Sequence, residues 1–220
     1  MDSAVDVVLP CLNEADALPG VLSGIPVGWR AIVVDNGSSD GSAEIAARLG
    51  ATVVPAAQRG YGAAVHAGLT AATAPIVAFC DADGSFDTRQ LERVVAPVRA
   101  GTEDLMLGRR VPVRSGAWPV HARFANAALL WWVRRRLDVD VHDLGPMRAG
   151  DRARLLALGL EDRRSGYPLE LLLRARRAGW RIGEVPVDYL PRIGRSKVTG
   201  TVRGTLQAVR DMSRMLRRYA

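Results

Sequence analysis

Ile76-Val77-Ala78-Phe79-Cys80-Asp81-Ala82-Asp83-Gly84 is a short apolar run that delivers two carboxylates, one residue apart, into a glycine-containing turn. The run has the length and character of a buried strand. Successive strand side chains point to opposite faces, so the turn has to reorient one acid before both can serve a single ion. Hard oxygen ligands of this kind suit Mg2+ or Mn2+, which is typically held by one or two carboxylates while substrate phosphates complete the shell. A nucleoside diphosphate is the partner this chemistry implies. Taken alone, Asp-x-Asp usually marks a solvated turn or helix cap. Its neighbours decide.

Upstream, strand-like and helix-like segments alternate, which predicts a parallel sheet with crossover helices. Val5 to Pro10, Ala31 to Asp35, Ala51 to Val54 and Pro75 to Cys80 read as strands. Ala15 to Ser23, Ala43 to Leu49 and Tyr61 to Thr73 read as helices, and Asn36 to Ser42 as a turn rich in capping and positive-φ residues. Ligands of such sheets bind outside the carboxyl ends of the strands. Downstream of residue 100 the pattern loosens. Leu105 to Leu107 and Trp180 to Val187 are expected strands, Phe124 to Arg136 and Leu169 to Ala178 expected helices, and Asp188 to Gly200 an irregular loop. Thr201 to Arg218 is a basic amphipathic helix with Val202, Leu206, Val209 and Leu216 roughly on one face.

The chain has 220 residues, 48% of them hydrophobic, which suffices for one sizeable core. Cys11 and Cys80 are expected as reduced, buried thiols of a cytoplasmic protein. Met1 to Asp6 contains acids and no long apolar stretch, so no secretory signal is expected, and no segment has the roughly 18 to 20 apolar residues needed to span a bilayer. The net charge is +7, with arginines crowding the second half. An anionic partner follows: nucleic acid, phospholipid headgroups or a sugar diphosphate. No helix-turn-helix, zinc or aromatic-sheet signature points to nucleic acid.

Val7-Val8-Leu9-Pro10-Cys11-Leu12-Asn13-Glu14, Val33-Val34-Asp35-Asn36-Gly37-Ser38-Ser39-Asp40-Gly41 and the Asp81-Ala82-Asp83 turn resemble the GT-A family 2 glycosyltransferases. The resemblance continues in order through Asp143-Leu144-Gly145-Pro146-Met147-Arg148-Ala149, Leu169-Glu170, Gly179-Trp180-Arg181-Ile182, Glu184-Val185-Pro186-Val187 and Arg192-Ile193-Gly194-Arg195-Ser196-Lys197, and it looks like the branch of dolichyl- and polyprenyl-phosphate sugar synthases. It implies an α/β fold: a GT-A, Rossmann-like, mostly parallel sheet with helices on both faces and acceptor-side elements at the C-terminal end. Residues 1–220 are expected to form a single domain, with 1–110 binding the nucleotide sugar, 111–200 the acceptor and 201–220 forming the basic helix.

The resemblance also implies roles. Pro10, Leu12, Asn13, Glu14 and Asp35 would surround the nucleotide base and ribose, where a carboxylate accepts hydrogen bonds from ring N–H or hydroxyl groups; a turn cap is the rival role for Asp35. Gly60 and Gly62 bracket Tyr61, and either admit a ligand to the backbone or merely permit a tight turn. Asp83 is the first choice as metal ligand, with Asp81 on the metal or the ribose. Related synthases often carry an amide side chain two residues after the second acid, where this chain has Ser85, so Ser85, water or a distant group fills the third position. Arg110, Arg123, Arg192 and Lys197 match phosphate-binding cations that would hold the donor diphosphate, the acceptor phosphate, or both. The loop with Ser196 and Lys197 is a candidate lid.

Asp83, Arg110 and Asp143 are thus the catalytic candidates. A hydroxyl acceptor needs a general base, for which Asp143 ranks first and Glu170 second; a lipid monophosphate is already anionic, and Asp143 would then organise the pocket. His66, His121 and His142 lack metal-ligand spacing. The expected activity is metal-dependent, inverting transfer of mannose or glucose from GDP-mannose or UDP-glucose to a polyprenyl phosphate, with a soluble or hydroxyl acceptor as the alternative. A dinucleotide oxidoreductase is set aside, because Leu9-Pro10-Cys11-Leu12-Asn13-Glu14-Ala15 stands where its glycine-rich turn would be. The stretch from Phe124 to Val133 before Arg134-Arg135-Arg136 suits peripheral contact with an anionic membrane, or packing on the sheet.

Overall fold

The computed structural model describes residues 4–114, 118, 120–137, 139–194 and 202–219, without the side chains of residues 120–122, 136, 137, 202–209 and 219. Seven strands form one sheet in the order β3-β2-β1-β4-β6-β5-β7. They are β1 (Val5–Cys11), β2 (Arg30–Asp35), β3 (Thr52–Pro55), β4 (Ile76–Phe79), β5 (Leu105–Pro112), β6 (Arg148–Asp151) and β7 (Ile182–Tyr189). All neighbours run parallel except β6, which is antiparallel to both β4 and β5.

The central strands are apolar on both faces because helices cover both. Val8, Ile32, Val34, Val77 and Phe79 pack toward α3 (Tyr61–Ala71), α5 (Val120–Leu137), α6 (Arg152–Ala157), α7 (Tyr167–Arg177) and α8 (Val202–Tyr219). Val7, Leu9, Val33 and Ala78 pack toward α1 (Leu18–Ser23), α2 (Ser42–Arg48) and α4 (Leu91–Arg99). Adjacent residues of one strand therefore belong to different cores, as the two-residue period requires. Among the described residues no helix is long and apolar enough to cross a membrane.

Four elements lie outside the sequence expectations: the short 3-10 helix Thr88–Gln90, α4, β6 and α6. Others shift. The expected helix from Ala15 starts at Leu18, with Pro19 in its first turn, where a missing N–H costs nothing. The expected three-residue strand at Leu105 extends to Pro112 and carries Arg110 with it, paired to Val187 of β7. Asp188 and Tyr189, expected in a loop, close β7 instead.

Candidate active site

The site begins where β1 and β2 end side by side, with Cys11 paired to Asp35. The two following loops are stitched together. Asn13 N–H donates to Ser38 Oγ (2.9 Å), Ser39 N–H to Asn13 Oδ1 (2.8 Å), Glu14 N–H to Ser42 Oγ (2.9 Å) and Ala15 N–H to Asp40 Oδ2 (3.0 Å). Asn13 holds φ at 53°, a left-handed conformation that asparagine tolerates better than most residues. Pro10, Leu12, Asn13, Glu14 and Asp35 thus share one rim. One oxygen of Asp35 accepts from Ser38 N–H (3.0 Å), which is the turn-capping role.

The acidic turn after β4 faces the same cleft. Arg192 places one guanidinium nitrogen 3.1 Å from Glu14 Oε1 and 3.3 Å from Asp83 Oδ2, so the ends of β1 and β4 meet across it. Asp83 also accepts from Ser85 N–H at 2.9 Å, and its carbonyl accepts from Ile193 N–H at 2.9 Å. Burial first, and then repulsion from Asp83, push the Asp81 carboxyl up to about 7 against the pull of Arg110, Arg148 and Arg192. Two crowded acids of which one resists ionisation fit a divalent cation, which would relieve both penalties. Ser85 Oγ is buried and has no hydrogen-bond partner among the described residues, a polar atom available to a ligand or water. No third His, Cys, Asp or Glu joins the pair among those residues.

Arg110 reaches this cluster from β5. Asp143 accepts from its Nε (2.8 Å), its terminal nitrogen (2.6 Å) and its backbone N–H (2.8 Å). The guanidinium lies 3.9 Å above the Trp118 ring and 5.5 Å from that of Tyr189. Burial opposes its charge, but Asp143 outweighs burial and strengthens it. Asp143 is 1% exposed, and both of its oxygens are occupied by Arg110. The chain passes close enough here that a Cβ on Gly145 would lie 2.2 Å from the Gly108 carbonyl oxygen, so only glycine allows this approach.

Other expected residues fall differently. Glu170, the second candidate base, accepts from the N–H groups of Glu161 (3.0 Å) and Asp162 (2.7 Å) and from Arg174 (2.9 Å); it ties down the 158–162 segment. Gly60 holds φ at 144°, and a Cβ there would lie 2.2 Å from Arg163 O, so packing of the chain against itself already requires glycine. Gly60 nonetheless borders a cavity of about 780 Å³ with Leu12, Asn36, Arg59, Tyr61 and Arg214. Arg123 is exposed on α5, outside the hydrogen bonds that build the cluster. Ser196 and Lys197 lie outside the described residues.

Sequence reasoning gave no role to Arg148, Glu184 or Trp118. Arg148 is buried opposite Phe79 in the β6 register, bonds the Gly145 carbonyl (2.6 Å), and acts electrostatically on Asp81. Glu184 accepts from the N–H of His142 (3.0 Å) and of Asp143 (2.8 Å), fixing the segment that carries Asp143. The available signal for Arg148 was a lone cation within Met147-Arg148-Ala149-Gly150.

Sheet order, the acidic turn at the carboxyl edge and the surrounding cations together define a GT-A glycosyltransferase. The glycosyl transferase family 2 model matches residues 6–142, and the chain belongs to that family. An uncharacterized glycosyltransferase of Mycobacterium tuberculosis is 53% identical over 214 residues, covering 97% of this chain and 98% of that protein. A dolichyl-phosphate hexose transferase of Haloferax volcanii is 30% identical over 195 residues, covering 87% and 85%. Glucosyl-3-phosphoglycerate synthase of M. tuberculosis, crystallised with Mn2+, UDP and glucosyl-3-phosphoglycerate, superposes with a TM-score of 0.75 at 25% identity, covering 98% of this chain and 79% of the other. The same protein is also known with Mg2+ and UDP.

Proposed function

We propose that this glycosyltransferase moves a hexose, mannose or glucose, from GDP-mannose or UDP-glucose to a polyprenyl phosphate, with inversion and with dependence on Mg2+ or Mn2+. The observation that carries the reading is the convergence of Asp81, Asp83 and Glu14 on one cleft with Arg192 between them and Arg110 close by. Asp83, with Asp81, would hold the cation, and Pro10, Leu12, Asn13, Glu14, Asp35 and Gly60 would border the nucleotide. When bound, the divalent ion neutralises charge on the leaving diphosphate. Arg192 and Arg110 add fixed positive charge where the leaving group takes up its electron pair. Residues 1–110 serve the donor and 111–200 the acceptor within one domain.

An acceptor phosphate oxygen attacks the anomeric carbon as the bond to the diphosphate oxygen breaks. That oxygen is already ionised, so no proton has to be removed. This suits Asp143, whose oxygens both hold Arg110, making it a positioning residue. A hydroxyl acceptor would need a base, and Asp143 would have to release Arg110 to act as one. The dolichyl-phosphate hexose transferase relative supports the lipid acceptor, and the metal complexes of the synthase support the cation. We place the enzyme on the cytoplasmic side, at the membrane that holds such an acceptor.

The test is transfer from labelled GDP-mannose and UDP-glucose with Mg2+ or Mn2+, with and without a short-chain polyprenyl phosphate. Product is expected only with the lipid phosphate, and Asp83→Ala should lower transfer by about 10²- to 10³-fold. Equal transfer without lipid phosphate would move the acceptor to the soluble class. Unimpaired transfer by Asp83→Ala would remove the metal role.

A further inference from the structure

Helix α5 has two apolar faces. Leu130 and Val133 point into the core, 1% and 0% exposed, as a helix packed on a sheet requires. Phe124 and Trp131 lie seven residues apart, hence on one line along the helix, and are 72% and 53% exposed. Ala128 lies between them and Arg135 continues the line, its guanidinium 4.9 Å over the Trp131 ring. Arg123 is exposed and Arg134 half-buried beside it. From Val120 to Leu137 the sequence has no acid. Val111 and Val113, directly after Arg110, are also exposed.

Single exposed apolar residues are ordinary. Two aromatic rings on one line, bordered by cations and free of acids, are instead what an interfacial helix presents to a lipid surface: rings at the headgroup boundary, arginines on phosphates. We propose that the Phe124–Trp131 ridge of α5 docks the chain on a bilayer containing anionic headgroups. Charge complementarity selects this occupant. Each cation near such a surface adds attraction, whereas a second copy meeting ridge to ridge would bring like charges together.

Docking has a consequence for the site. Asn126, on the same helix, donates to the His142 carbonyl and accepts from Leu144 N–H, both at 3.2 Å. The docked helix therefore grips the segment that carries Asp143 and, through Asp143, the Arg110 guanidinium. The inference goes beyond the acceptor reading, because the surface alone requires it; an enzyme with a soluble acceptor would dock equally.

Co-sedimentation of the full chain with vesicles free of prenyl phosphate tests it. Binding is expected to vesicles of phosphatidylcholine with phosphatidylglycerol, weakening as salt rises, and to be much weaker with phosphatidylcholine alone. Phe124→Ala with Trp131→Ala should lower the partition coefficient by about tenfold or more, while Val27→Ala with Leu49→Ala, exposed elsewhere, should not change it. A thermal shift with UDP and Mn2+ equal to that of the parent shows that each variant is folded. No binding at low salt, or equal binding by the Phe124/Trp131 variant, overturns the proposal. So does a dimer in sedimentation velocity that this variant converts to monomer without any vesicle binding. Vesicle binding without transfer to prenyl phosphate counts against the acceptor and leaves the ridge standing.

Discussion

Asp81 sits where burial and Asp83 oppose its charge while Arg110, Arg148 and Arg192 favour it, and opposition wins. The sign of the consequence follows from linkage. Its carboxyl binds a proton more tightly in the folded chain than in the unfolded one, so the stability it contributes is present below the ordinary carboxylate value and lost as pH rises toward about 7. In the proposed function a divalent cation would take the proton's place. Mn2+ should therefore raise the melting temperature more at about pH 8 than at about pH 5.5. Arg148→Met removes one of the cations favouring ionisation and should move the midpoint of this metal response upward by about one pH unit. Titrating the melting shift against pH for both proteins checks it. A variant with an unmoved midpoint would reduce Arg148 to a strut for Gly145.

At the scale of elements, legibility followed local apolar patterning rather than burial: β6 is buried yet was missed, while β3 is half-exposed yet was located. β1, β2, β3 and β4 are apolar runs closed by turn residues, and sequence locates them to within a residue or two. β6 is Arg-Ala-Gly-Asp, with neither apolar run nor alternation; it is a strand because β4 and β5 supply partners on both sides. The site inherited this split. Asp81, Asp83 and the rim from Pro10 to Glu14 are local in sequence, while Arg148 near Asp81 depends on the pairing of Phe79 with Arg148, 69 residues apart, and Glu184 under Asp143 on a contact across 41 residues. Two tests belong here. Gly60→Ala, with its Cβ against Arg163 O and a backbone conformation reserved for glycine, should cost about 3 kcal/mol in urea unfolding. Asp6 joins β1 to the α3–β4 connection by accepting from Arg30 (2.8 and 2.6 Å) and from the N–H groups of Thr73 (2.6 Å) and Ala74 (2.9 Å). Burial works to raise its carboxyl, yet these partners outweigh it and hold it below the ordinary value. Its contribution is thus present above that value and lost as pH falls through the folded one, so the difference between the parent and Asp6→Asn should be about 2–3 kcal/mol at neutral pH and vanish in acid.

Across the whole molecule, the rim proposed for the donor comes from the first strands and the cations from the last, and the segment after β7 joins them. Leu190 N–H donates to Ser85 O and Ile193 N–H to Asp83 O, both at 2.9 Å, which straps this segment over the acidic turn. Arg192 then reaches both Asp83 and Glu14. In this arrangement the proposed metal ligands and the proposed diphosphate-binding cation are separable by mutation. Arg192→Ala leaves Asp81 and Asp83 in place, so the melting shift with Mn2+ alone should persist. The additional shift on adding UDP or GDP should fall away, because its stabilisation depends on the logarithm of saturation: a nucleotide present at 100 times its dissociation constant adds about 2.7 kcal/mol, and a hundredfold weaker one at the same concentration adds about 0.4 kcal/mol. Melting curves with Mn2+, nucleotide and both, for parent and variant, measure this. Loss of the Mn2+ shift together with the nucleotide shift would mean that Arg192 organises the acidic turn itself, and the division between metal-holding and phosphate-holding groups would have to be redrawn.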